Sequence, residues 1–152
     1  MLDELRAAPA EQAQRIERDI RRIWSRTGSA TMDLLLKRGR DALEVNDSAK
    51  AMQHFTALTD HAPDFAEGWH GLALAYYQAQ RYGPTVDALE RTLALNPQHF
   101  GAMKGLGAVL EQVGMPDRAY DAYSLVLDIN PNDTDVIEAL ERLETRVKGT
   151  TL

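Results

Sequence analysis

A period of 34 residues constrains this chain more than any other feature. Pro63, Pro97 and Pro131 stand 34 apart. Small residues recur in the same register at Gly39, Ala73 and Gly107, and one turn further on stand Ala42, Tyr76 and Leu110. In the second half of each period a small residue precedes a large one by four, as Ala51/Phe55, Thr85/Leu89 and Ala119/Tyr123. That spacing puts both members on one helical face. A repeat of this length marks stacked supersecondary units, each unable to bury its apolar faces alone.

The chain reads as helices throughout, with no strand-like alternation. Residues 9–26 form the first expected helix, with Pro9 at its start and Ile16, Ile20, Ile23 and Trp24 as one apolar stripe. Thr27-Gly28-Ser29 breaks it. Helix pairs follow over residues 31–63, 66–97 and 100–131. Ser48 is expected to cap one helix, and Asp64 with Glu67 three residues on reads as a capping box for the next. Gly114 reads as a C-terminal stop, Pro116 as a helix start, and Asn132-Asp133 as a cap for the last helix. That helix, about 133–148, carries Val136, Ile137, Leu140, Leu143 and Val147 on one side and Glu138, Glu141, Arg142 and Glu144 mostly on the other. The pattern divides the chain into residues 1–30, an N-terminal helix and linker; residues 31–131, three repeats; and residues 132–152, a capping helix and tail. Residues 9–26 are expected to cover the first repeat helix, where Leu34, Leu35 and Leu36 run consecutively.

In the middle unit Trp69, Leu72, Ala73 and Tyr76 are followed by Thr85, Leu89 and Pro97. The third has Met103, Leu106, Gly107, Leu110, Ala119, Tyr123 and Pro131; the first has Leu35, Gly39, Ala51, Phe55 and Pro63. This pattern resembles the tetratricopeptide repeat, and the whole chain looks like small bacterial proteins of that family with a helix before the repeats. The resemblance implies an all-α, right-handed solenoid of antiparallel helix pairs and a role in protein–protein interaction. It also implies that the first helix of each pair lines a concave face. Here that face would show Asp33, Leu36, Lys37 and Arg40, then Glu67, His70, Leu74 and Tyr77, then Gly101, Lys104, Gly105, Ala108, Glu111 and Gln112.

Some family members grip a chaperone's C-terminal carboxylate with a Lys, Asn, Asn, Lys, Arg clamp. The matching positions here hold Leu36, Arg40, Gly71, Lys104 and Ala108, so both asparagines are missing and chaperone-tail recognition is not expected. The expected partner is a protein or peptide segment. The alternative is a structural subunit that self-associates, or docks in a larger complex, through its N-terminal helix.

Charge and composition remove other classes. Residues 1–30 carry 6 basic and 5 acidic groups, and residues 31–152 carry 11 and 18. The repeats are thus acidic, unlike a phosphate-binding face, so no nucleic-acid partner is expected. Arg15, Arg18, Arg21, Arg22 and Arg26, interrupted by Glu17 and Asp19, read as a solvated helix face. No apolar run approaches the length of about 18 residues that a membrane helix needs. The chain has no cysteine. That removes disulfides and thiol chemistry and leaves the compartment open, with the cytoplasm as default and the periplasm as the alternative if a signal peptide was removed before residue 1.

No catalytic constellation is visible, and neither cofactor nor metal is expected. His54, His61, His70 and His99 form no His-Glu-x-x-His pair and read as surface or packing residues. Asp128, Asn130 and Asn132 begin like a calcium loop, but Asp133 and Ala139 stand where its glycine and distal glutamate belong. Gly101, Gly105 and Gly107 fall inside a helix with no strand before them, unlike a phosphate cradle. Gly101 and Gly105 are one turn apart. They read either as a close helix contact or as a shallow ligand pocket.

Overall fold

The computed structural model describes the backbone of residues 1–150 and the side chains of residues 1–146. All regular structure among the described residues is helical: α1 (Leu2–Ala7), α2 (Ala10–Trp24), α3 (Ala30–Glu44), α4 (Ser48–His61), α5 (Ala66–Gln78), α6 (Tyr82–Leu95), α7 (Phe100–Gln112), α8 (Pro116–Ile129) and α9 (Thr134–Thr150). None is long and apolar enough to cross a membrane among the described residues. The sequence did not anticipate α1.

Local chemistry explains the helix ends. The Ser29 hydroxyl accepts from the Met32 N–H ahead of α3, and an Asp133 oxygen accepts from the Val136 N–H ahead of α9. Pro116 begins α8 as expected. Ser48 is not a cap but the first residue of α4, and Asp47 caps it by accepting from the Lys50 N–H at 3.1 Å. The Asp64/Glu67 capping box does not form. Phe65 precedes α5 with no side-chain cap, and Glu67 is turned inward.

The turn inside each helix pair is closed the same way. Asn46, Gln80 and Gly114, each 34 residues after the last, adopt left-handed conformations with φ of 58°, 60° and 81°. The residue after each donates back to the fifth residue before it: Asp47 to Ala42, Arg81 to Tyr76 and Met115 to Leu110. This satisfies carbonyls the helix end would otherwise leave unpaired. Glycine fills that position at no steric cost only in the third pair.

Compactness groups the chain into two units, one of Ser25–Ala102 and one of Met1–Trp24 with Met103–Leu152. In the first, α3 packs on α4, α5 on α6, α4 on α5, and α3 on α5. Its core holds Leu36, Ala42, Ala51, Phe55, Leu58, Leu72 and Ala75. Phe55 is fully buried, and its ring lies between two glycines. A Cβ built on Gly39 would come within 2.6 Å of the ring, and one on Gly71 within 2.3 Å. The ring therefore occupies the space that side chains on α3 and α5 would need.

The second unit joins the ends of the chain. α1 packs on α2 and on α8, and α8 packs on α9. Leu5, Ala13, Ile16 and Ile20 are buried, whereas Ile23 is 42% exposed and does not continue the buried stripe. Arg6 Nε donates to the Asp128 carbonyl at 2.9 Å, in the last turn of α8. Asn132 Nδ2 donates to the Ala8 carbonyl at 2.7 Å, and Asn130 Nδ2 to Glu17 at 3.1 Å. Glu17 of α2 is thereby tied to the residue that ends α8, and α1 packs on both α2 and α8. Gly107 repeats the glycine–aromatic fit, with a Cβ there falling 2.7 Å from the Tyr123 ring. Val136, Ala139 and Leu143 bury the inner side of α9, while Val147 lies beyond the described side chains.

Four substitutions test these features. Gly39→Ala should destabilise the chain by about 2 kcal/mol, because overpacking outweighs the gain in helix propensity. Adding Phe55→Leu, which copies the Ala73/Leu89 pair of the middle repeat, should recover part of that loss in urea unfolding. Gln80→Gly should raise stability by about 0.5–1 kcal/mol by removing the left-handed strain, visible as a higher melting temperature. Asn46→Gly should change little, since asparagine tolerates that conformation.

Candidate functional site

The most structured polar cluster in the Ser25–Ala102 unit centres on Glu67. Only 4% of this side chain is exposed, yet both oxygens are engaged. Arg40 Nη2, from α3, donates to Oε2 at 3.0 Å and also to the Ser25 hydroxyl at 3.1 Å. His99 Nε2 lies 2.6 Å from Oε1. His99 is itself buried, and its Nδ1 accepts from the Ala102 N–H at 3.0 Å. A backbone N–H can only donate, so the ring proton sits on Nε2 and is given to Glu67. His99 thus caps the start of α7 with one nitrogen and holds the carboxylate with the other.

Electrostatics follow from this arrangement. Burial pushes the Glu67 carboxyl up, but the hydrogen bond from His99 and the electrostatic pull of His99, His70 and Arg40 outweigh it. The group is held below the ordinary carboxyl range, so it is ionised in the folded chain. His70 lies one turn along α5 from Glu67, with its ring centroid 4.5 Å from that of His99. A Cβ on Gly101 would meet Cε1 of His99 at 3.1 Å and of His70 at 3.2 Å. Gly101 therefore leaves room for the two imidazoles.

Donor atoms of Glu67, His70 and His99 all lie within 4.8 Å of one another. In sequence the four histidines share no motif that would bring them together. Glu67-x-x-His70 was legible as one helical face, but His99 belongs to the next repeat, and only stacking brings it in. His61 is exposed and His54 half-buried, as expected of surface or packing residues.

The other expected groove residues divide. Leu36 is a core residue, 5% exposed, because its place on α3 faces α4 and α5 rather than solvent. Glu67 is likewise unavailable at the surface. Lys37 is exposed and pairs with Asp41 at 2.7 Å. Leu74 is 41% exposed, and the half-buried Tyr77 ring packs on Tyr82 with centroids 5.7 Å apart. In the other unit Lys104 pairs with the buried Asp133 at 2.9 Å, so it is not a free flank. Glu111 accepts from Arg142 Nε and Nη2 at 2.9 and 2.8 Å, and this bidentate bond holds its carboxyl below the usual range. Gly105 and Ala108 are half-buried.

Two stretches, residues 36–83 and 86–134, match the family model described as tetratricopeptide repeat. The chain belongs to the tetratricopeptide repeat family. A TPR repeat-containing protein of Rhizobium etli is 30% identical over 139 residues, which span 91% of this chain and 68% of that protein. Among solved structures, the first TPR of Spaghetti (RPAP3) bound to the HSP90 peptide SRMEEVD has a TM-score of 0.76 at 19% identity, covering 79% of this chain and 98% of that one. The TPR2B domain of yeast Sti1, in complex with an Hsp70 peptide, has a TM-score of 0.72 at 13% identity, covering 78% and 99%. At these identities the likeness shows the fold. Two of the clamp-matching positions, Leu36 and Gly71, are buried here, Gly71 against Phe55.

The Glu67 assignment predicts a pH dependence. Its folded pKa lies below its unfolded value, so its contribution to stability is full above about pH 4.5 and fades as pH falls through the folded value. Glu67→Gln should lose about 2 kcal/mol at pH 7, less than the 3–5 of a fully buried pair because Arg40 is half exposed. Its urea-unfolding free energy should then decline less steeply in acid than that of the parent. Parallel curves would mean Glu67 is not the ionised hub.

Proposed function

We propose that this TPR protein is a non-catalytic interaction module that binds an extended or helical protein segment on the exposed side of α3 and α5. The observation that carries the reading is the row His70, Leu74 and Tyr77 along α5, two of them partly exposed rings and one a 41% exposed leucine. A surface-accessible apolar and aromatic row on a rigid helix is what interface anchors look like. Lys37 and Arg40 on the adjoining α3 supply polar flanks, with Arg40 fixed by Glu67. Peptide-bound domains of the same fold support the general role. The missing asparagines and the buried Leu36 and Gly71 argue for a ligand other than a chaperone C-terminal tail.

The alternative is a structural subunit that self-associates, or docks in a larger complex, through the N-terminal helix. Ile16 and Ile20 of α2 are already buried within the chain, leaving Ile23 as the exposed member of that stripe.

Selecting binders to the full chain from a displayed peptide library and measuring their affinity by fluorescence polarisation tests the proposal. Tyr77→Ala should weaken a selected peptide by about 2 kcal/mol, roughly 30-fold, with Leu74→Ala following in the same direction. Peptides bound equally by parent and both variants would place the ligand elsewhere and overturn this reading.

A further inference from the structure

We propose that Glu67, His70 and His99 form a binding site for a first-row transition-metal dication of the zinc type. The three donor atoms lie within 4.8 Å of one another, and they come from only two places in the fold. Glu67 and His70 are three apart on α5 and so project from one face. His99 stands immediately before α7, its ring centroid 4.5 Å from that of His70. Gly101 keeps the space beside both Cε1 atoms free of a side chain. Two imidazoles and one carboxylate are the donor set of an open zinc site, with solvent in the fourth position. Imidazole also suits copper, nickel and iron. Arg40 already occupies Oε2 of Glu67, so the carboxylate offers Oε1 alone.

The proton inventory sets the character of such a site. Without metal, Nε2 of His99 carries the ring proton and Nδ1 accepts from Ala102. A metal at Nε2 takes the place of that proton, which moves to Nδ1 of the same ring. The His99–Glu67 hydrogen bond then opens from 2.6 Å to the separation of about 3.3 Å that donors around one tetrahedral ion require. The Ala102 N–H loses its acceptor at the same moment. Metal binding and the cap on α7 are therefore mutually exclusive, and the positive Arg40 beside the carboxylate weakens the site further. This is the signature of a responsive site rather than a permanent structural one; His70 also belongs to the α5 row assigned to the peptide, and zinc titration without peptide tests the metal site by itself.

Zinc titrated into the full-length chain by calorimetry tests the proposal, with hydrogen exchange at the Ala102 amide as a second readout. The parent should bind one zinc per chain, and Ala102 should exchange faster when zinc is added. His99→Asn removes the imidazole while keeping a preferred capping residue, and His70→Gln removes the other imidazole from the face of α5. Each should lose at least about tenfold in affinity, with circular dichroism confirming that both remain folded. Absence of stoichiometric binding to the parent overturns the site. So does unchanged affinity in either variant, which would assign the zinc to other groups. Zinc binding that leaves Ala102 protected would exclude His99 as a ligand and equally overturn it.

Discussion

The approach of α3 to α5 is set by one aromatic ring. Phe55 has no exposure and needs both flanking positions empty, so Gly39 and Gly71 stand on either side of it. Each glycine in a helix interior costs about 1 kcal/mol relative to alanine. Full burial of the ring returns more than either cost alone. The rest of that unit is built on this spacing. It is what puts Arg40 of α3 within 3.0 Å of Glu67 on α5. A larger residue at either glycine would separate the two helices and the two charges together.

The polar cluster is a second-order consequence of the same packing. A carboxylate in the interior is unfavourable unless paired and hydrogen-bonded. Glu67 meets that requirement with one partner from the repeat before it and one from the loop after it. His99 connects the carboxylate to the first turn of α7, so three successive first helices of the repeats are tied through a single residue.

Much of this was legible in the sequence, and what was not has a common cause. The period gave the helix pairs and the family, because those rest on spacings that recur along the chain. Gly114, Pro116 and Asp133 marked helix ends by local chemistry that needs no tertiary context. The reading failed where a residue's role is fixed by a distant partner. Asp64 and Glu67 matched a capping box, but His99 and Arg40 outcompete the backbone N–H for that carboxylate. Leu36 was placed on a binding face by its repeat position and is core because Phe55 draws α3 close. Gly71 was matched to a ligand-binding position and instead accommodates the ring. Arg6, Ala8 and Glu17 find hydrogen-bond partners more than a hundred residues away, and no local pattern encodes such a pairing.

That long connection bears on the order in which the chain acquires its structure. Residues 25–102 hold Phe55, its two flanking glycines and the Glu67 cluster within one continuous stretch, so these contacts need nothing that is synthesised later. Residues 1–24 emerge before them and cannot complete their packing until α8 and the turn at Asn130–Asn132 exist. Non-local contacts of this kind slow folding, since the intervening chain must be ordered or looped out before they form. Leu5, buried in the finished protein on a helix that packs against α8, therefore waits for its partner while the residues between them are made.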